Sequence, residues 1–427
     1  MKKMSFFQII LIGVFAVGAF IGIFVFATYK GGGAADAIGP VVIWGVLPRA
    51  EVQDALTLLT QTDQSLKGVS YEEKDPNTLV ADLAAAIATG SGPDLVLSSQ
   101  ENLGALERFV ETIPLTSLSE ADFTSTFIQG ADVFATQGGH FAIPLLVDPL
   151  VLFYNRPMLS SSGIAKPPAT WEALTGLVPS ITRVTPSRQI TRSFIALGSY
   201  QNIHDARGIL STLFLQTGVP ISTRSASGQL VADIDGPSGE AVVGFYSQFS
   251  DPSKVSYTWN ALLPDSQSAF LSGDLALYLG YGSEAKYLSA ANPNLSFATA
   301  LVPQRATAQT REVYGLVYGM MIPRGAKNSA GAYQVASLLV APAAQSTIAG
   351  ALGLAPAVVD SLAAAPSEPT AAVSYSEALY ASGWLSPEPV STDAVFSSMI
   401  TDVTTGRSSL TSALIFAERS LGALLPQ

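Results

Sequence analysis

The chain contains no cysteine and only two histidines, His140 and His204. Without cysteine there can be no disulfides, thiol nucleophiles, thiolate metal sites or lipid attached to a cysteine. Two histidines nearly exclude a site built from several imidazoles, and we expect neither a metal nor a cofactor. Charge is also scarce, at 13% of 427 residues, and the net charge is -11. An acidic chain is a poor partner for nucleic acid, so none is expected.

The amino terminus carries a long, strongly apolar run without charge. The run from Met4 to Tyr29 carries no charge. About 20 apolar residues span a bilayer, whereas a cleaved secretory signal has an apolar core of about 7–15 residues and a small-residue cleavage site. We therefore predict one transmembrane helix within residues 1–29 that anchors the mature protein to the membrane.

The flanks of this run predict its orientation. Lys2 and Lys3 precede it and are expected to stay in the cytoplasm. Residues 30–427 would then lie on the extracytoplasmic side of the cell membrane, below a single-pass anchor. Residues 30–39 are rich in glycine and alanine and are predicted to form a flexible linker.

After residue 40, short apolar strands alternate with helical patterns. Residues 41–44 (VVIW) predict a first strand, and residues 95–99 (LVLSS) predict a second, buried one. Between them, a helix is predicted to begin at Asp75 and to end at Gly90. Alternation of strand and helix indicates an α/β fold with a parallel sheet covered by helices.

One apolar stretch is interrupted near its middle. Residues 141–155 read FAIPLLVDPLVLFYN, with Asp148 and Pro149 inside the run. An unpaired buried carboxylate costs several kcal/mol or takes up a proton, and proline is excluded from central strands. The pattern therefore predicts a break between two strands at this pair.

Six stretches resemble motifs of one protein family, in that family's order. They are ATGSGPD (88–94), FAIPLLVDPLVLFYN (141–155), PPATWE (167–172), FLSGDLALYL (270–279), YGLVYGMMIPRGAKN (314–328), and Gly406-Arg407 with Ala413-Leu414. Together they resemble the extracellular solute-binding proteins of ATP-driven (ABC) importers, family 1, the sugar-binding, maltose-binding-protein-like group. The resemblance covers about residues 41–425.

This resemblance implies a type II periplasmic-binding-protein-like fold, in which two α/β lobes hold a ligand in the cleft between them. The break at Asp148 and Pro149 then falls where the chain crosses from one lobe to the other. The implied boundaries are 40–146 with 316–356 for lobe 1, 150–312 with 360–427 for lobe 2, and hinges near 147–149 and 313–316.

The resemblance also implies a function. Such a protein captures a small polar solute, most often a carbohydrate, and delivers it to the permease subunits of an ABC transporter; it is not an enzyme. Two alternatives remain open. The chain could be a surface receptor or adhesin that uses the same fold without transport. It could also be a surface glycosidase with Glu101 and Asp148 as its acid and base.

Most candidate ligand contacts follow strand ends or lie on the predicted crossovers, where ligands bind in such sheets, and Trp384 lies in a loop-like segment, SGWLSP (382–387). The candidates are Trp44, Arg49, Ser99, Gln100, Glu101, Asp148, Tyr281, Gly282, Tyr314, Tyr318 and Trp384. A tyrosine offers an apolar face to a sugar ring and a hydroxyl for hydrogen bonding.

Each candidate has an alternative interpretation. Asp148 could accept hydrogen bonds from ligand hydroxyls, or it could cap a loop amide or pair with an arginine. Arg49 could serve the ligand or be neutralised by Glu51. The aromatic residues could belong to the core. Maltose-binding protein has tryptophans near the positions of Ser98 and Ser283, so the resemblance does not imply maltodextrin as the ligand.

Overall fold

The structure is a computed structural model that describes residues 38–225 and 228–425. Two units are distinguished, Met1–Gly39 and Pro40–Gln427, and the fold described below is that of the second unit. The predicted transmembrane helix at residues 1–29 lies outside the described residues, as does most of the predicted linker at 30–39.

Strands and helices alternate along most of the described chain. The strands are β1 Val41–Gly45, β2 Val69–Glu73, β3 Leu95–Ser99, β4 Ile113–Pro114, β5 Ala135–Thr136, β6 Gly139–His140, β7 Ile143–Asn155, β8 Arg183–Val184, β9 Ile190–Ile195, β10 Ile221–Arg224, β11 Leu230–Asp233, β12 Leu275–Tyr281, β13 Phe297–Ala300, β14 Val313–Met321, β15 Ala355–Pro356 and β16 Ala381–Ser382. The helices are α1 Arg49–Thr62, α2 Leu79–Ala88, α3 Leu103–Leu106, α4 Glu120–Thr126, α5 Arg156–Ser161, α6 Trp171–Ile181, α7 Ala206–Gln216, α8 Gly236–Ser247, α9 Ser266–Ser272, α10 Glu284–Ala291, α11 Ser329–Leu339, α12 Pro342–Leu352, α13 Val359–Leu362, α14 Pro369–Ala378, α15 Pro389–Thr404 and α16 Leu410–Leu424.

One mixed sheet of eleven strands organises the fold. Its main path is β2-β1-β3-β14-β7-β12-β9-β8; in addition, β13 and β15 pair with β7, and β16 pairs with β14. Parallel neighbours lie toward both ends, where β1 pairs with β2 and β3, and β12 pairs with β9. The two longest strands, β7 and β14, are antiparallel and central.

Strand β7 is continuous through Asp148 and Pro149, so the predicted break into two strands is wrong. What changes at this point is the neighbour: residues 143–149 pair with β14, and residues 150–154 pair with β12. Pro149 stands opposite Gly315, and its carbonyl accepts a hydrogen bond from Gly282 N at 3.0 Å. Proline is compatible with this central strand because it stands where one ladder ends and the next begins.

Short sequence signals, such as capping residues, explain where several helices begin or end. Thr170 caps α6, since its hydroxyl accepts from Ala173 N at 3.3 Å. Gly90 has a positive φ of 65° just beyond α2, as predicted. The predicted start of α2 at Asp75 is wrong. There the carboxylate accepts from Asn77 N at 2.8 Å and closes a turn, so the helix begins at Leu79.

Candidate functional site

Asp148 lies at the junction where β7 changes neighbour, and it is 4% exposed. Its Oδ1 accepts a hydrogen bond from Ser283 N at 3.1 Å, and its Oδ2 accepts from Ser283 Oγ at 2.5 Å. Burial raises the pKa of Asp148 to about 7, although the bonds from Ser283 oppose this shift. The carboxylate therefore caps the turn that follows β12, which is the structural interpretation left open above. A ligand contact by Asp148 stays a prediction.

Gly282 keeps this turn close to the rest of the fold. A Cβ added at Gly282 would lie 2.3 Å from Ser374 Oγ on α14, a distance at which atoms overlap. The turn can therefore pack against α14 only if residue 282 has no side chain. Gly282 lies beside Asp148, and its evident role is close packing; a ligand contact by Gly282 stays a prediction.

Gln100 and Glu101 follow β3 directly and are both buried. Gln100 Oε1 accepts from Val317 N at 2.7 Å, and Gln100 Nε2 donates to Gly315 O at 3.1 Å. This side chain thus satisfies backbone groups of β14 near its junction with β7. Ser99, the last residue of β3, is also buried and is paired in register with Tyr318 of β14.

Glu101 belongs to an ion-pair cluster. Arg207 Nη2 donates to Glu101 Oε2 at 2.6 Å, and the Tyr314 hydroxyl donates to Glu101 Oε1. Burial raises the pKa of Glu101, while Arg207 and Tyr314 act against this shift. Arg207 also donates to Pro389 O at 3.0 Å and lies 3.6 Å from Asp393 Oδ1. The cluster thereby joins the end of β3 to the first turns of α7 and α15.

The candidate tyrosines surround this cluster. Tyr314 is fully buried, and Tyr281 is half-buried. Both approach Gly208 on α7, where an added Cβ would lie 2.9 Å from Tyr281 Oη and 3.3 Å from Tyr314 Cδ1. Tyr318 is close enough to both Asp148 and Glu101 for their charges to add to burial in raising its pKa. The structure thus brings Gln100, Glu101, Tyr281, Tyr314 and Tyr318 together.

Trp384 lies against the other side of α7. Its indole Nε1 donates to Ser211 Oγ at 2.9 Å, and its ring centroid lies 6.1 Å from that of Phe396. Only 4% of the residue is exposed. Core packing, the alternative interpretation of this tryptophan, describes its surroundings in the structure.

Trp44 and Arg49 form a separate, more open group at the ends of β1 and β2. Lys74 Nζ lies 3.8 Å from the centroid of the half-buried Trp44 ring. Arg49 is exposed, and its backbone N donates to Glu73 Oε2 at 2.8 Å. These residues meet at the carboxyl ends of parallel strands, the edge at which the sequence predicted them.

Sequence reasoning missed Arg207 and Glu284. Glu284 accepts three hydrogen bonds: from Tyr281 N at 2.6 Å, from Gln267 Nε2 at 2.6 Å and from the Tyr278 hydroxyl at 2.5 Å. Both residues sit in the first turn of a helix, where no short motif distinguishes them. Their partners are distant in sequence, so only the folded chain shows the contacts.

Both the chain and its fold are similar to those of known proteins. The model of the family described as bacterial extracellular solute-binding protein matches residues 60–374. The chain belongs to this family. The resemblance seen in the sequence is therefore confirmed, and the family is one of binding proteins located outside the cytoplasm.

Solved structures of solute-binding proteins share the two-lobe α/β fold. A cyclo/maltodextrin-binding protein in complex with maltotetraose has a TM-score of 0.73 and 16% identity, covering 92% of this chain and 98% of its own. The cyclic α-maltosyl-1,6-maltose binding protein from Arthrobacter globiformis has a TM-score of 0.74 and 17% identity, covering 90% and 99%. An ABC transporter solute-binding protein from Thermotoga lettingae TMO, bound with α-D-tagatose, has a TM-score of 0.67 and 18% identity, covering 91% and 100%.

Two further observations concern the predicted cleft and the predicted anchor. A surface cavity of about 540 Å³ lies between β11 and α16, and its lining includes none of the eleven candidate residues. Among the described residues, no single helix is both long and apolar enough to cross a membrane. Helices α11 and α12, which meet at an angle of 79°, satisfy that test only as a pair.

Proposed function

We propose that this solute-binding protein captures a small polar solute of the carbohydrate class between its two lobes and delivers it to an ABC import permease. The observation that supports this best is the exchange of neighbours along β7. Residues 143–149 pair with the β14 side of the sheet, and residues 150–154 pair with the β12 side. A strand shared in this way connects two half-sheets that can move about one junction.

The lobe boundaries are part of this proposal. Lobe 1 comprises residues 40–146 and 316–356, lobe 2 comprises 150–312 and 360–427, and the hinges lie near 147–149 and 313–316. Two ion pairs then cross between the lobes: Glu101 with Arg207 at 2.6 Å, and Glu107 with Arg224 at 2.9 Å. Ligand clefts form at such domain interfaces. The eleven candidate residues are proposed as its lining or its immediate support.

The carbohydrate assignment draws on the related structures, which contain maltotetraose and α-D-tagatose. The experiment is a thermal-shift screen of the full chain with these two sugars, other oligosaccharides, a polyol and a polyamine. A ligand at 100 times its Kd should stabilise the protein by about 2.7 kcal/mol. If only non-sugar solutes stabilise it, the carbohydrate assignment is wrong.

Transport and the alternatives are separated by two assays. Direct binding to permease subunits supports import, whereas ligand binding without any permease contact supports a surface receptor or adhesin. Release of products from a labelled glycan would indicate a glycosidase. The glycosidase is disfavoured because both oxygens of Glu101 and both oxygens of Asp148 already accept hydrogen bonds from protein donors.

We also propose that the uncharged run from Met4 to Tyr29 anchors the protein in the cell membrane. The full chain is then expected to sediment with membranes and to resist carbonate extraction, whereas a chain that starts at Ala35 should be released. A mature protein whose first residue is Thr28 or a nearby one would contradict this assignment.

A further inference from the structure

Three side chains able to bind a metal converge beside the proposed cleft. His204 and Asp205 immediately precede α7, and Glu284 is the first residue of α10. One imidazole nitrogen and one oxygen from each carboxylate all lie within 4.8 Å of one another. His204 is exposed and both acidic residues are half-buried, so the group is accessible from solvent on one side.

The carboxylates of Glu284 and Asp205 differ in the number of hydrogen bonds that they accept. Glu284 accepts three hydrogen bonds, from Tyr281 N, Gln267 Nε2 and the Tyr278 hydroxyl. Asp205 Oδ2 is buried and accepts no hydrogen bond from any residue that the structure describes. Its carboxyl group lies against that of Glu284, and its other close neighbours are the Tyr281 backbone N–H and Asp148.

A positive charge would stabilise such an arrangement. Like charges at this distance in a partly buried place repel strongly, and a buried acceptor without a donor is costly. Either a cation or a proton between Asp205 and Glu284 would relieve both problems. The imidazole of His204 places a third possible ligand beside the pair, which favours a metal ion over a shared proton.

We propose that His204, Asp205 and Glu284 bind a divalent first-row transition ion, with Zn²⁺ as the preferred member of that class. One imidazole and two carboxylates are ligands that Zn²⁺ accepts, whereas Ca²⁺ and Mg²⁺ prefer oxygen ligands throughout. Ligand atoms about 2.0–2.2 Å from a tetrahedral ion lie about 3.3–3.6 Å apart. Binding therefore requires a contraction of about 1 Å, which side-chain rotation can supply.

Three protein ligands leave one position on the ion for water or a solute oxygen. The ion would also fix the start of α7 to the start of α10. Arg207, which holds Glu101, lies two residues beyond Asp205. Metal binding is thus expected to order the part of α7 that faces the proposed cleft, whatever the solute is.

The test uses the full chain, without a histidine tag and treated with EDTA. Calorimetric titration with ZnCl₂ should give one site per chain, with weaker binding of MnCl₂ and much weaker binding of CaCl₂ and MgCl₂. His204→Gln, Asp205→Asn and Glu284→Gln should each weaken Zn²⁺ binding at least tenfold. Glu111→Gln, which alters an exposed carboxylate elsewhere, should bind as the wild type does.

The two histidines allow a readout that does not depend on folding of the variants. His140 is 2% exposed and stacks on Phe123 with ring centroids 3.9 Å apart. One equivalent of Zn²⁺ should shift the imidazole NMR signals of His204 and leave those of His140 unchanged. Three results would overturn the proposal: no Zn²⁺ binding by the wild type, no shift of the His204 signals, or undiminished binding by Asp205→Asn and Glu284→Gln.

Discussion

Several polar residues at the junction of the two half-sheets hold each other in place. Asp148 accepts two hydrogen bonds from Ser283, and Gln100 bonds to the backbone at Gly315 and Val317. The side chains of Asp148 and Gln100 were both predicted to contact a ligand. In the structure, their hydrogen bonds hold the turn after β12 and the middle of β14 in place. Their evident role is therefore to fix the conformation of the junction between the two half-sheets.

Replacement of Asp148 by alanine tests this role. Asp148→Ala leaves Ser283 N without its acceptor, so the free energy of unfolding of the ligand-free protein should fall by about 1–3 kcal/mol. Urea unfolding measures the change, with the exposed Asp233→Ala in β11 as the control. Unchanged stability together with a 10- to 100-fold loss of ligand affinity would instead support the ligand contact predicted from the sequence.

At the scale of one element, helix α14 contains a buried carboxyl group that lies near the start of β14. Glu377 is fully buried, and its Oε1 accepts from Val302 N at 2.5 Å and lies 3.4 Å from Arg311 Nη2. Among the described residues, nothing donates to its Oε2. Burial raises the pKa of Glu377 to about 7, against the opposing effect of Arg311.

This shift predicts a dependence of stability on pH. The folded state binds the Glu377 proton more tightly than the unfolded state does, so the contribution of Glu377 is greatest below pH 4.5 and is lost as the pH rises to about 7. Relative to Glu377→Gln, the wild type should lose about 2–3 kcal/mol of unfolding free energy over this range. Urea unfolding at several pH values measures the difference, and Glu111→Gln is the control. Parallel curves for wild type and Glu377→Gln would contradict the assignment.

The local elements were largely predictable, whereas the site was not. Strand β3, helix α6 and the helix-to-strand turn at Gly273 follow from apolar runs, an N-cap threonine and a left-handed glycine. Sequence patterns of this kind act over a few residues. The pairs of Glu101 with Arg207 and of Asp205 with Glu284 join residues about 80 to 106 positions apart and depend on how α7 packs against β12 and β14.

On the scale of the whole molecule, the Glu101–Arg207 bridge connects the two proposed lobes. Both side chains are mostly buried, at 10% and 16% exposure, so screening by solvent is limited. Removal of one partner from a buried ion pair leaves an uncompensated charge and typically costs about 3–5 kcal/mol. The bridge is therefore expected to affect both stability and the equilibrium between closed and open forms.

A double-mutant cycle separates these effects. Glu101→Gln and Arg207→Gln should each lower the free energy of unfolding and increase the radius of gyration measured by small-angle scattering. The double variant should be destabilised by less than the sum of the two single variants. The control is Arg407→Gln, which disrupts the exposed pair with Asp402 and should change little. Additive destabilisation with unchanged scattering would show that the bridge does not hold the lobes together.

The central position of β14 also has a consequence for biosynthesis. Strand β3 ends at Ser99, but its neighbour β14 is complete only at Met321. At about 5–20 residues per second, the ribosome needs about 10 to 45 seconds to supply the roughly 220 residues between them. During this time one edge of β3 has no neighbour and the first half of the sheet cannot close. A polypeptide that stays incompletely folded for so long can still pass through a narrow secretion channel. This property suits a protein of an extracellular family.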